Sequence, residues 1–182
     1  MIRFVTTNAG KYREASALLA AHGIEVEHFE LLLPEVQADA IEDVAAYSMK
    51  VLAEEADFDF LVDDSGFFVD ALKGFPGVYS SYVFRTIGIA GVLSLLEVVD
   101  KRQARFETVM GLRLGGETHM FRGVCRGTVT REARGLGGFG FDPIFVPDGQ
   151  EKTFGEMSLE EKNAVSHRAS AARQVAEFLK GR

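Results

Sequence analysis

The sequence predicts an α/β protein, and three observations carry that prediction. Up to Val62, short β-rich apolar runs alternate with stretches of helical spacing. Between Ala104 and Thr130 two strand patterns follow one another across a glycine pair, and from Ser158 the chain returns to helical spacing. With 182 residues, 47% of them hydrophobic and 26% charged, the chain is long enough to bury one sizeable core, in one domain or two closely joined lobes. A net charge of −7 excludes the broad basic footprint of a DNA- or RNA-binding protein, so any phosphate site must be local. The single cysteine, Cys125, cannot form an internal disulfide and reads as a buried thiol, which makes a cytoplasmic setting the default. The N-terminus has no apolar leader, and no run reaches the roughly 18 apolar residues of a membrane span.

The elements follow in order. "IRFVT" is a strand and "TNAG" a polar turn. "KYREASALLAAHG" is a helix, with Ala15, Leu18, Leu19 and His22 on one stripe and Gly23 as the stop. "IEVEHF" alternates as a second strand. Asp39 and Glu42 have the spacing of a capping box ahead of an amphipathic helix, Ile41 to Ala56. The apolar run Phe60 to Val62 predicts a third strand that ends at Asp63, and an apolar segment resumes from Phe67 to Leu72. "GIAGVLSLLEVV" is a further helix, and Gly115 and Gly116 turn a long hairpin. "FDPIFVP" is a brief extended piece, and Ser158 with Glu161 opens the last helical stretch as a second capping box.

Four stretches combine residue types that bear chemistry. Thr6, Thr7, Asn8, Ala9, Gly10 and Lys11 lie between a strand and a helix, where backbone N–H groups and the helix N-terminus can receive a phosphate. The spacing is not that of a Walker loop, and taken alone the pattern reads first as a helix-capping turn with a solvated lysine. Asp63 and Asp64 are either solvated acids at a strand end or oxygen ligands delivered to a cleft. Near a polyphosphate they suit Mg²⁺, which takes one or two carboxylates beside substrate oxygens. Glu35 in "LPEVQAD" is a candidate second acid. In "GLGGFGFDPIF", Phe139 and Phe141 on a glycine frame suggest a stacking platform, with Asp142 as an acceptor, although a core aromatic turn has the same pattern. In "EEKNAVSHRASAARQ", one continuous helix would point Lys162 and Arg168 apart. If Ser166 caps a new helix, Lys162, His167 and Arg168 face one cleft.

Together these segments resemble the ITPase family of non-standard purine nucleoside triphosphate pyrophosphatases. "TTNAGK", "DDSGFFVDALKGFPGVYSS", "FGFDPIF" and "EKNAVSHR" occur in that family's order over nearly the whole chain, and "PEVQ" with "FRTIGIAGVL" is closest to its archaeal-type members. The resemblance implies a mixed, twisted β-sheet flanked by helices, opened into two lobes with the active site between them, and a homodimer. It implies that Thr6 to Lys11 and Lys162 hold the triphosphate, that Glu35 and Asp64 hold Mg²⁺, and that Ser65 meets a phosphate or sugar oxygen. Phe139, Gly140, Phe141 and Asp142, with His167 and Arg168, would frame the base, and Asp64 would activate water. Two departures stand out. Phe141 replaces a usual Tyr or Trp, and "YSSYV" lacks an arginine that often follows, a contact for which Arg85 is the candidate.

Overall fold

A computed structural model describes residues 1–34 and 36–182. Position 35, where Glu35 is the expected metal ligand, lies outside the described residues. The strands are β1 (Ile2–Val5), β2 (Val26–Phe29), β3 (Phe60–Val69), β4 (Pro76–Gly77), β5 (Gln103–Leu114), β6 (Glu117–Val129) and β7 (Phe145–Pro147). The helices are α1 (Ala9–Ala20), α2 (Ile41–Glu55), α3 (Ser80–Thr86), α4 (Gly88–Leu95), α5 (Leu159–Val165) and α6 (His167–Lys180). Among the described residues no helix is long and apolar enough to cross a membrane.

The described strands form one mixed sheet in the order β2-β1-β3-β5-β6-β7, with β4 added beside β3. β1 runs parallel to β2 and β3, whereas β3, β5, β6 and β7 are successively antiparallel. The predicted mixed sheet flanked by helices is therefore present. Alternation along the strands sends side chains to two helical layers. Phe4, Leu61, Met110 and Leu112 pack with α1 and α6, while Val5, Phe60 and Val62 pack with α2. The hairpin turns where expected, because Gly115 and Gly116 supply the two successive positive φ angles, 57° and 87°, that a two-residue turn needs.

Two local expectations are corrected, and one helix is added. β3 does not stop at Asp63 but continues to Val69, because β5 pairs with it residue by residue from Phe60↔Arg113 to Val69↔Ala104 and satisfies the backbone beneath the acids. The Asp39 capping box does not form. Ala40 is the N-cap of α2 with no side-chain bond, and Glu42 is drawn to Arg122 on β6 at 3.0 Å. "SSYVFRT", to which the sequence analysis assigns no element, forms the short helix α3.

β1 contacts β3 only at Phe60 and Leu61, and β4 joins the same edge only from Phe67. Over Val62 to Gly66 no described strand flanks that edge, so the sheet has a notch beyond the C-terminal end of β1. Open α/β sheets bind ligands in such crevices.

α6 lies close over β6, and Gly123 makes the approach possible: a β-carbon there would stand 2.0 Å from the His167 carbonyl oxygen and 2.7 Å from the Ala171 nitrogen. Gly123→Ala is expected to lower stability by about 1–3 kcal/mol through overpacking, read from urea unfolding. An unchanged midpoint would show that α6 can shift without cost.

Candidate active site

The notch opens into a cavity of about 1020 Å³ lined by Thr6, Thr7, Asn8 and Lys11, by Asp63, Asp64 and Ser65, by Phe139 to Asp142, and by Lys162, His167 and Arg168. All four sequence motifs meet here. Asn8 caps α1, its Oδ1 accepting from the Lys11 backbone N–H at 3.0 Å, so Ala9 and Gly10 form the first turn at the cavity wall. Ser166 both ends α5 and caps α6. The helical stretch is therefore broken at Ser166, and the break brings Lys162, His167 and Arg168 to one side.

Asp63 and Asp64 separate by strand alternation. Asp63 is buried on the α6 side, where its carboxylate accepts from Arg168 Nε at 2.7 Å and from Ser65 Oγ at 2.7 Å, and pairs with Lys11 Nζ at 3.1 Å. Lys11 also donates to the Asp63 carbonyl oxygen at 2.7 Å, across the open edge of β3. Asp64 has the parity of Phe60 and Val62, the α2 side, and is half-buried. Since the cavity wraps the free edge, both residues still line it.

Glu14 is a central residue that the motifs did not reveal. It is 2% exposed on α1 and accepts from Lys162 Nζ at 2.6 Å and from Arg168 Nη1 at 2.5 Å. Its signal was a carboxylate on the apolar stripe of a helix, among Ala15, Leu18 and Leu19. Lys162, expected to hold triphosphate, has its ammonium between Glu14 and Asp142 (2.6 and 2.5 Å), with 4% of the side chain exposed. Arg168 is likewise enclosed, Nη2 donating to Ser65 Oγ at 2.9 Å. Lys11, 18% exposed, is the cation of the three that reaches the cavity most openly.

Asp142 also accepts the Phe139 backbone N–H at 2.8 Å, which pins the turn bearing the aromatic platform. Phe139 lies against α1, where a β-carbon at Gly10 would come within 2.6 Å of its ring. Lys162 Nζ sits 4.8 Å and Arg168 Cζ 5.6 Å from the Phe139 centroid. Phe141 is a core residue, stacked on Phe67 at 5.2 Å and edge-on to Phe84. Arg85 lines the cavity from α3, its Nη1 donating to Ser81 Oγ at 2.5 Å.

Burial alone would raise the Asp63 carboxyl, but Arg168 and Lys11 outweigh it and hold the group well below the usual carboxylate range. Burial dominates at Asp142 and pushes its pKa up, against the pull of Lys162. His167, stacked on Phe106 at 4.9 Å, is kept neutral by burial and then by the positive charges of Arg168 and Lys162. Its buried Nδ1 has no hydrogen-bond partner. Among the described residues no group of three or more His, Cys, Asp or Glu side chains could hold a metal. Asp64, at the open strand edge of the cavity, nevertheless fits Mg²⁺, which takes as few as one carboxylate beside water and phosphate oxygens.

Two outcomes follow from this charge arrangement. Because His167 stays neutral in the fold while the unfolded chain takes up a proton near pH 6.5, stability is expected to decline as pH falls below that value. Asp63 adds a second, steeper loss below about pH 4, where the unfolded carboxyl protonates first. Asp142 opposes the His167 slope, since its raised pKa contributes stability below 3.8 that is lost as pH rises through the folded value. Urea midpoints measured from about pH 7.5 to about pH 5 test this, with His167→Gln flattening the slope; a midpoint that rises on acidification contradicts it. Arg168→Met leaves Asp63 and Glu14 short of a partner and is expected to cost about 3–5 kcal/mol in the same measurement.

The model of the Ham1 family matches residues 2–178. The dITP/XTP pyrophosphatase of Thermococcus kodakarensis is 50% identical, covering 98% of this chain and 97% of that protein. The dITP/XTP pyrophosphatase of Pyrococcus horikoshii is 48% identical, covering 98% and 96%. A solved HAM1 protein structure from Coxiella burnetii, 30% identical, superposes with a TM-score of 0.84 over 100% of both chains. The order of the four motifs, the mixed sheet and these full-length similarities agree: the chain belongs to the Ham1 family.

Proposed function

We propose that this protein is a nucleoside triphosphate pyrophosphatase that converts non-standard purine nucleotides (ITP, dITP and XTP) to the monophosphate and pyrophosphate, removing them from the nucleotide pool. One observation carries the reading. A capped helix N-terminus with a lysine, a carboxylate at an open strand edge and an aromatic turn line one cavity. Full-length relatives named dITP/XTP pyrophosphatases support the same assignment.

In this reading the Thr6 to Lys11 loop receives the triphosphate on its backbone N–H groups and Lys11. Asp64 orients the attacking water and takes its proton as the new phosphorus–oxygen bond forms and pyrophosphate departs. Asp64, with Glu35 assigned by resemblance, would hold Mg²⁺, which supplies charge neutralisation at the phosphate oxygens when bound. Phe139 offers its ring to the purine, and Gly140, Phe141, Asp142, His167 and Arg168 complete the wall. Ser65 lies at the junction of Asp63 and Arg168, where it can meet a phosphate or sugar oxygen. Glu14, Lys162 and Arg168 act chiefly by holding that wall in place. A homodimer in the cytoplasm belongs to the same proposal and rests on the resemblance.

Release of pyrophosphate across ITP, dITP, XTP and the standard triphosphates tests the assignment. Asp64→Asn is expected to lower kcat by about 10²-fold or more while substrate still binds. A folded Asp64→Asn protein with normal turnover would remove Asp64 from the mechanism, and binding without turnover by the parent would make the protein a nucleotide sensor.

A further inference from the structure

We infer that His28 is a positioning residue for the phosphate loop, acting through the carbonyl of Thr6. This rests on the proposed role of Thr6 to Lys11 and extends it to a residue outside every motif. Thr6 is the hinge between β1 and the loop, and it is held on three sides. Its backbone N–H donates to the Phe29 carbonyl at 3.1 Å, its Oγ1 accepts the Asn8 N–H at 3.1 Å, and its carbonyl oxygen lies 2.9 Å from His28 Nε2. A carbonyl can only accept, so Nε2 carries the hydrogen in this contact.

The His28 ring is itself fixed. It stacks on Tyr12 with centroids 4.2 Å apart and planes 11° from parallel. Tyr12 stands in the first two turns of α1, its backbone N–H bonding the Asn8 carbonyl at 3.1 Å and its hydroxyl facing the Val26 carbonyl at 3.4 Å. One ring from β2 and one from α1 thus form a bracket behind the loop. The bracket leaves the cavity side of the loop unobstructed and sets the direction of the peptide after Thr6, whose N–H belongs to Thr7. An anion site built from backbone N–H groups depends on those groups being aimed before the ligand arrives. Losing the His28 bond leaves the first peptide of the loop free to rotate.

The test separates the N–H donor from the ring stack. His28→Phe keeps a ring against Tyr12 and deletes the donor, whereas His28→Gln restores an N–H at similar reach without the stack. Pyrophosphate is titrated calorimetrically against the parent and both variants, alongside kcat and KM for dITP and thermal midpoints. His28→Phe is expected to keep the parental midpoint, to weaken pyrophosphate binding and raise KM about ten-fold, and to change kcat less than about two-fold. His28→Gln is expected to recover most of the affinity. Unchanged pyrophosphate affinity in His28→Phe, or equal loss of affinity and melting midpoint in both variants, overturns the inference. Lys11→Ala serves as the control. If it leaves pyrophosphate binding intact, the loop is not the phosphate site and the proposed function loses its support. If Lys11→Ala weakens binding and His28→Phe does not, only the role of His28 fails.

Discussion

The head of the cleft depends on a buried charge balance in which Glu14, Asp63 and Asp142 face Lys11, Lys162 and Arg168. Six ionisable groups occupy a region where four are almost inaccessible to water, with Glu14, Lys162, Arg168 and Asp142 each at 3% exposure or less. Any one carboxylate or ammonium left alone there would cost several kcal/mol. The network is therefore all or nothing. It contributes little net stability over an apolar core, but it makes one mutual placement of α1, β3, the Phe139 turn, α5 and α6 far better than its neighbours.

That placement is what shapes the cavity. Phe139 is held by the Asp142 bond to its N–H, by the lysine and arginine near its face, and by contact with the first turn of α1. The Thr6 to Lys11 loop and the Phe139 turn thus touch across Gly10, so the two ends of the cavity are parts of one assembly. On the other side of β3 the construction is different. Asp64 faces the α2 layer and is half-buried rather than sealed.

The same balance bears on how an acidic protein would meet the polyanion proposed as its substrate. Lys162 and Arg168 are neutralised by their carboxylates, and the net charge of the chain is −7. In the proposed function, attraction for triphosphate would draw on Lys11, the N-terminus of α1 and a bound cation. In that proposal local positive potential would set the phosphate end, and an uncharged aromatic surface with a neutral imidazole the base end.

Much of this was legible in the chain itself, for a physical reason. Helix caps at Asn8, Ser158 and Ser166 and the turn at Gly115–Gly116 rest on hydrogen bonds and φ angles set within a few residues. The four motifs likewise carry their order and chemistry wherever they are read. The failures lie where a residue's partner is distant. Asp39 and Glu42 had capping spacing, but Arg122 claimed Glu42. Asp63 and Asp64 looked like a strand end, but β5 carried the strand past them and alternation gave them opposite faces. Glu14 looked like any helix glutamate, yet its partners stand 148 and 154 residues away. Local backbone preference is written over a few neighbours, whereas the value of a charge is decided by what is buried against it, and that exists only once the elements have packed.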